Sequence, residues 1–439
     1  MKYPSYVIMA VLFLSLLSCS EGEKTMVMID PGHYHAALIQ KNHLPGVSDI
    51  VRVYAPECME LDSYLSTVRS FNQREDDATG WREELHISDC FLDSLPPASK
   101  GDFVVLAGKN RNKATYIKRA IECGYSVLSD KPMAITGEGY ESLVSAYELA
   151  KKKGLVICDL MTERHDVLNA IVRDIVSDRE SFGDITGVSI SSVHHFFKNV
   201  NGASLRRPMW YYDVRQQGEG IADVTTHLID LIFWQCMPDV AVTPSDITEL
   251  EACHYPTSVS LEQYERSTGA QAFPDYLSAD VCPDGILNVM SNGRIGFRLK
   301  SIPVSVSVRW DYEPVEGGGD TSESLYDGTK ASVRMVQNVG TNFDRQLLLN
   351  VSSSSEGSLL EKLKNSYPDM ICTRLGDGRW LLDMPQDKKP GHEAHFNMVA
   401  ASFLEMIDRH AVPLWEKTNT LTKYYITTRA VQLSSLNED

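Results

Sequence analysis

The sequence predicts an α/β chain: a doubly wound parallel sheet over residues 26–160, then an α+β domain with a large, mostly antiparallel sheet over 161–439. Two observations predict it. Up to about residue 160, short strands that are apolar throughout alternate with stretches of helical periodicity, the pattern of a parallel sheet buried on both faces. Beyond about residue 185 the runs become longer, β-rich and partly alternating, separated by Gly and Pro, as in strands with one covered face. The length agrees, since 439 residues are long for one core and comfortable for two.

The first residues do not belong to either unit. Lys2 precedes the apolar run Val7–Leu17, broken only by Ser15, which has signal-peptide dimensions and is short for a membrane span. The run ends in Leu16-Leu17-Ser18-Cys19, which resembles the lipobox of bacterial lipoproteins, where the chain is cut before the cysteine and the thiol carries lipid. Residues 1–18 are thus expected to be removed, Cys19 to be lipidated, and 19–25 to act as a linker. The acidic Ser20-Glu21-Gly22-Glu23 resembles surface-export signals of Bacteroidetes lipoproteins, so the expected location is the outer membrane, periplasmic or surface face, held by the N-terminal lipid alone. Twin arginines are absent, which implies export as an unfolded chain.

The first strand is Met26–Ile29, closed by Asp30-Pro31-Gly32, with helical spacing through Ala36, Leu38 and Ile39. Strands follow at Ile50–Tyr54 and Phe103–Ala107, a helix at about Lys113–Cys123, a strand at Tyr125–Ser129, a helix at Glu141–Lys152 and a strand at Leu155–Cys158. In the second unit the pattern predicts strands at Val188–Phe197, Gly293–Lys300, Val304–Trp310 and Ala331–Gln337. Helices are expected at Gly220–Trp234 and about Glu393–Arg409, and a loop at Ser352–Gly357.

With 43% hydrophobic and 23% charged residues, the chain is neither disordered, collagen-like nor a multi-span membrane protein. Acidic residues outnumber basic ones by 59 to 42, and the resulting charge of −17 repels polyphosphate, so no nucleic-acid partner is expected. The cysteines are scattered without a CxxC pair, which excludes a zinc ribbon. Cys123 and Cys158 stand in apolar contexts that favour reduced, buried thiols.

Three residue groups carry possible chemistry. Lys131 precedes proline at the carboxyl end of a strand, the edge where doubly wound sheets bind ligands. Asp223, His227 and Asp230 stand at i, i+4 and i+7 and share one narrow helical face, with Val224, Leu228, Leu231 and Ile232 on the opposite arc. A histidine beside a carboxylate can carry a proton near neutral pH, although the same spacing also suits a plain Asp–His bond on a buried helix. Arg207, Trp210, Tyr211, Tyr212 and Asp213 combine stacking faces with polar groups as sugar sites do, and His194 and His195 lie on a nearby strand. His392 and His395 are three apart, unlike the zinc motif HExxH, and no metal site is expected.

Taken together, two stretches are recognisable. Gly124-Tyr125-Ser126-Val127-Leu128-Ser129-Asp130-Lys131-Pro132-Met133-Ala134 resembles the G-x-H-V-x-x-E-K-P-x-A segment of the Gfo/Idh/MocA oxidoreductase family. Gly218-Glu219-Gly220-Ile221-Ala222-Asp223-Val224-Thr225-Thr226-His227-Leu228-Ile229-Asp230 resembles its G-G-G-x-x-x-D-x-x-x-H-x-x-D helix, in the family's order and spacing, so the resemblance covers roughly 25–430. It implies a Rossmann-like domain binding NAD or NADP and a second domain binding a small carbohydrate. Lys131 would polarise the substrate oxygen, His227 would be the acid/base, and Asp223 would orient or balance them. The cofactor would touch Asp30, Gly32, His33, Tyr34, Asn110 and Lys131, and the substrate His195, Arg207, Trp210, Tyr211, Tyr212, Asp213 and Asp230. Relatives commonly associate through the open face of the second sheet, which implies a homo-oligomer.

The cofactor half of the family pattern is rewritten. The fingerprint G-x-G-x-x-G reads Asp30-Pro31-Gly32-His33-Tyr34-His35, keeping only the middle glycine. The second strand ends Val53-Tyr54-Ala55-Pro56 without the ribose-binding acid, and the family's histidine after the third strand is replaced by Asn110-Arg111-Asn112-Lys113, where Arg111 and Lys113 are candidates for phosphates. An NAD(P)-dependent oxidoreductase acting on a carbohydrate hydroxyl is the first expectation. The alternatives are a redox-neutral NAD-dependent glycoside hydrolase and a cofactor-free glycan-binding or non-redox relative.

Overall fold

The structure is a computed structural model that describes residues 23–200 and 203–436; Cys19 and the segment before it lie outside them. Six parallel strands, β1 (Lys24–Ile29), β2 (Val47–Ala55), β3 (Arg82–Ile87), β4 (Phe103–Leu106), β5 (Ser126–Ser129) and β6 (Ile157–Asp159), form a sheet in the order β3-β2-β1-β4-β5-β6. The order reverses between β1 and β4, so a crevice opens outside their carboxyl ends. Helices α1 (His35–Leu38), α2 (Met59–Asn72), α3 (Lys113–Cys123) and α4 (Gly137–Lys153) make the connections. The inner strands are apolar because successive residues enter different cores, Met26 and Met28 one, Val27 and Ile29 the other, whereas the edge strand β3, Arg-Glu-Glu-Leu-His-Ile, is mostly exposed and was not expected from the sequence. The helix expected after β1 is only one turn, α1. At Gly108, after β4, a Cβ would lie 2.1 Å from the Asp30 carbonyl oxygen, so glycine is required for this strand end to meet the β1 turn.

The second unit runs through α5 (Val167–Ser177), α6 (Arg179–Phe182), β7 (Ile185–His195), the short pair β8 (Asn199–Val200) and β9 (Ala203–Ser204), α7 (Val214–Gln217), α8 (Gly220–Asp223) and α9 (Thr225–Cys236). It continues with β10 (Ile247–Val259), α10 (Leu261–Thr268), β11 (Leu287–Leu299), β12 (Ile302–Asp311), β13 (Thr321–Gly328), β14 (Ala331–Gln337), β15 (Gln346–Val351), α11 (Ser353–Ser366), β16 (Ile371–Gly376), β17 (Arg379–Asp383), α12 (His392–Arg409) and α13 (Glu416–Leu436). Nine strands form one sheet in the order β10-β11-β12-β7-β13-β14-β15-β17-β16, antiparallel except for β12 beside β7. Helices α8 and α9 lie on one face, drawn in so closely that a Cβ on Gly220 would stand 1.8 Å from the Ser291 carbonyl oxygen of β11.

Three elements differ from the sequence reading. The helix expected at Gly220–Trp234 is two helices joined through Val224, which keeps helical geometry. The loop expected at Ser352–Gly357 is the start of α11: Leu359 and Leu363, one turn apart, are buried and outweigh the serines, while Gly357 meets nothing within 4 Å. Helix α12, counted with the second domain by sequence order, packs its Phe396, Val399, Phe403 and Ile407 into the parallel-sheet core with Met26, Met28 and Leu128. Among the described residues no helix is long and apolar enough to cross a membrane, and all eight described cysteines are free.

Candidate functional site

The carboxyl edge of the parallel sheet faces α7–α9, and the two motif stretches meet there. Strand β5 ends in Asp130-Lys131, where the Lys131–Pro132 bond is cis. Lys131 Nζ lies 2.5 Å from Asp223 Oδ1, and Gln217 Nε2 donates to Asp223 Oδ2 at 2.8 Å, so both carboxylate oxygens are engaged. Burial opposes both charges, but each outweighs it for the other: the Lys131 ammonium is held above its usual pKa and the Asp223 carboxyl below its own. One turn on, His227 Nδ1 is buried with no hydrogen-bond partner in the protein. Burial, followed by the Lys131 charge, pulls its imidazole down to about 3. The ring is therefore neutral at pH 7 and able to accept a proton.

His227 also borders a pocket of about 120 Å³ on the sheet, lined by Glu163, Asn169, Ser192, His194 and Arg345 among others. Four lining residues carry buried polar atoms without a protein partner: Asn169 Oδ1, Ser192 Oγ, His194 Nε2 and His227 Nδ1. Such atoms are costly unless a ligand or water satisfies them, so the pocket suits a ligand rich in hydroxyls. Arg345 Nη1 donates to Glu163 and to Asp166 at 2.9 Å each, fixing the pocket floor.

Several expected contacts are instead structural. Asp230 accepts from Arg164 at 2.6 and 2.7 Å and from Lys423 at 2.9 Å; it shares the helical face of His227 but lies beyond the cleft. Asn110 donates to the Gln217 carbonyl at 2.6 Å, and Lys113, buried and pulled down to about 8 chiefly by burial, donates to Asn110 and to the Asp130 carbonyl. Asn110 therefore stitches the loop to α7 and Lys113 ties it to the end of β5, and neither is free for a phosphate. On β7 the strand alternation turns His194 to the pocket, while His195 is buried with Nδ1 2.9 Å from Asp320. Tyr212 bonds Ser267 Oγ at 2.6 Å in the core, and Asp213 caps α7 and pairs with Arg215. Trp210 packs where a Cβ of Gly32 would reach it at 3.6 Å.

The β1 turn forms the other wall. Asp30 sits at φ 45° with its carboxyl raised by burial, and Tyr116 Oη lies 3.5 Å away. The amides of Gly32 and His33 both donate to the Ala107 carbonyl, at 3.1 and 3.0 Å. His35 Nδ1 is 2.9 Å from Asp130 Oδ2. Beside the turn runs a groove of about 280 Å³, lined by Gly32, His33, Tyr34, Ser63, Thr67, Arg206, Arg207 and Tyr211 among others. The Arg207 guanidinium donates to the His195 and Phe196 carbonyls and stacks 4.5 Å from the Tyr211 ring centroid. Sequence reasoning missed Gln217, which directly precedes the Gly218 motif, and Glu163, Arg345 and Asp320, which stand far from either motif and carry no local signal.

Residues 176–435 match the family described as "Putative oxidoreductase C terminal domain". A crystal structure of a "putative oxidoreductase" from Parabacteroides merdae is 37% identical over 95% of this chain and 98% of its own, with a TM-score of 0.91. The chain is an oxidoreductase of the Gfo/Idh/MocA type. Levoglucosan dehydrogenase, solved with NADH and L-sorbose, shares the fold at 15% identity and a TM-score of 0.60, over 94% of this chain and 97% of its own. A 3-ketoreductase from Actinomadura kijaniata, solved with NADP, does so at 12% and 0.56, over 94% and 98%. No curated protein matches by sequence. In this oxidoreductase the turn amides that would cradle a pyrophosphate are taken by Ala107, and α1 is a single turn. What the groove offers instead is the exposed Arg206, with Ser63 and Thr67, which fit a dinucleotide held by side chains rather than by a backbone cradle.

Proposed function

We propose that this oxidoreductase exchanges hydride between a carbohydrate hydroxyl carbon and NAD or NADP. The observation that carries it is the set Lys131–Asp223–His227, brought together from two domains beside a polar pocket. Neighbours of the same fold solved with NADH and a sugar, or with NADP, support the choice of cofactor and substrate class. Arg206 would hold the phosphates, and the nicotinamide, when bound, supplies the hydride acceptor. His227, neutral and desolvated, takes the hydroxyl proton. Lys131 donates to the same oxygen and stabilises its developing negative charge, while Asp223 and Gln217 hold that ammonium in place. The pocket's unpaired groups orient the remaining hydroxyls.

Calorimetry with NAD and NADP, then sugar-dependent reduction of whichever binds, tests the reading. Micromolar binding and turnover that falls about 10²–10⁴-fold in His227→Asn support it. A folded protein that binds neither nucleotide overturns hydride transfer and leaves a non-redox site at the same cleft. We also propose that Cys19 anchors the protein to the outer membrane. Cys19→Ala is expected to abolish partition into detergent, and partition that persists after signal cleavage refutes the anchor.

A further inference from the structure

We propose that His33, His35 and Asp130 form a binding site for one divalent transition-metal ion, an inference that goes beyond the oxidoreductase reading and does not rest on it. Their donor atoms all lie within 4.8 Å of one another. His35 Nδ1 is 2.9 Å, and His33 Nδ1 3.7 Å, from the same oxygen, Asp130 Oδ2. The two imidazoles stand edge to face, with ring centroids 4.1 Å apart and planes at 83°. An ion bound at about 2.0–2.1 Å keeps its ligand atoms roughly 3.0–3.5 Å apart, so small side-chain rotations close this set around it.

The donors come from one end of one sheet, on backbone that is already fixed. His33 follows β1 and its amide is bonded to Ala107; Asp130 follows β5 and its amide donates to the Leu106 carbonyl at 2.7 Å. The Asp130 carbonyl is held by Lys113 Nζ at 2.8 Å, and the His35 ring packs 4.6 Å from that of Phe396. Side-chain exposures of 16%, 10% and 5% for His33, His35 and Asp130 place the site under the surface, and His33 opens it to the groove. A plain Asp–His hydrogen bond accounts for His35 but not for His33, which is too far from the oxygen for a hydrogen bond, lies against the other imidazole, and accepts at Nδ1 only a long bond, 3.4 Å, from the His35 amide. Of the neighbouring cations, Lys131 is tied to Asp223, and Lys113 to Asn110 and the Asp130 carbonyl.

Two imidazoles and a carboxylate select Zn²⁺, Fe²⁺, Co²⁺ or Mn²⁺ over Mg²⁺ or Ca²⁺. Three protein ligands leave coordination positions toward the groove, the arrangement of sites that bind a further ligand rather than closed structural ones. The geometry also gives the rewritten fingerprint a purpose: the third glycine position is His35, a donor.

The test uses the full chain, stripped with a chelator and titrated with Zn²⁺ by calorimetry and with Co²⁺ by visible absorption. The expected result is one ion per chain, with Co²⁺ d–d bands and no thiolate charge-transfer band. His33→Ala, a change at the groove wall that leaves the core intact, should weaken binding at least roughly 100-fold, beyond the 10–100-fold typical of losing an outer-shell partner. Tyr34→Phe should leave it unchanged. Absent binding, thiolate bands, or equal affinity in His33→Ala while circular dichroism shows the fold intact would each overturn the site.

Discussion

His227 has its charge state set by what surrounds it. Burial and the Lys131 ammonium favour the neutral ring, and the carboxylates of Glu163, Asp130 and Asp230 offset them only in part. The imidazole resonances are therefore expected to show no titration between pH 5 and 8 by NMR. In Lys131→Met, which removes the nearest positive charge, the ring should titrate at higher pH; an unchanged curve would mean that the two side chains do not interact. Asp230→Asn is expected to leave KM unchanged where the protein is folded, since its oxygens are occupied by Arg164 and Lys423. A selective rise in KM would return Asp230 to the substrate. The periodicity that set Asp223, His227 and Asp230 apart from Val224, Leu228 and Leu231 did not hold at the pocket, which His227 lines together with Val224, Leu228 and Leu231. It carried no information about where along the helix the cleft ends, and seven residues span about 10 Å.

At the scale of elements, β1, β2, β4, β5 and β6 were legible because their buried residues face apolar cores on both sides, whereas the exposed edge strand β3 carries no apolar run and was not read. The second sheet was legible only in part: β7, β11, β12 and β14 were read, β13, β15 and β17 were not, and the edge strands β10 and β16, with mostly exposed residues, resemble loops in composition. Helix α11 was hidden by its serines. The role of α12 was hidden by distance, because a helix more than 360 residues from β1 shows in sequence that it has an apolar face but not which sheet it covers. That face makes a prediction. Phe403 is fully buried against the parallel-sheet core, with its ring 5.6 Å from that of Phe103, so Phe403→Ala should cost about 3–5 kcal/mol in urea unfolding. A cost under 1 kcal/mol would mean that α12 is not part of that core.

Across the whole molecule, a buried set of charges joins the two sheets. Lys423 of α13 lies 2.8 Å from Asp159 at the end of β6 and 2.9 Å from Asp230 of α9, and Arg164 binds Asp230 and Glu416. Removing one member leaves others buried without a counter-charge, which typically costs 3–5 kcal/mol, so Lys423→Met should destabilise by about that amount. Burial raises the carboxyl of Asp159 in this set, and the sign of the acid response comes from the other carboxyls. The carboxyls of Asp230 and Asp223 are held below their usual pKa, chiefly by their cationic partners against the effect of burial. Their folded forms bind fewer protons than the unfolded chain, so their stabilisation is complete above the ordinary carboxylate pKa of about 4 and is lost below it. His227, lowered to about 3, acts in the same direction over a higher window: between pH 6.5 and 3 the unfolded imidazole takes up a proton that the folded one refuses. Urea midpoints are thus expected to be flat between about pH 6.5 and 8, above which the lowered Lys113 begins to act, to fall gently from 6.5 to about 4, and to fall steeply below that. In His227→Asn the gentle limb should shrink while the steep one stays, and a variant whose midpoints track the parent at every pH would show that His227 is not held neutral by the fold.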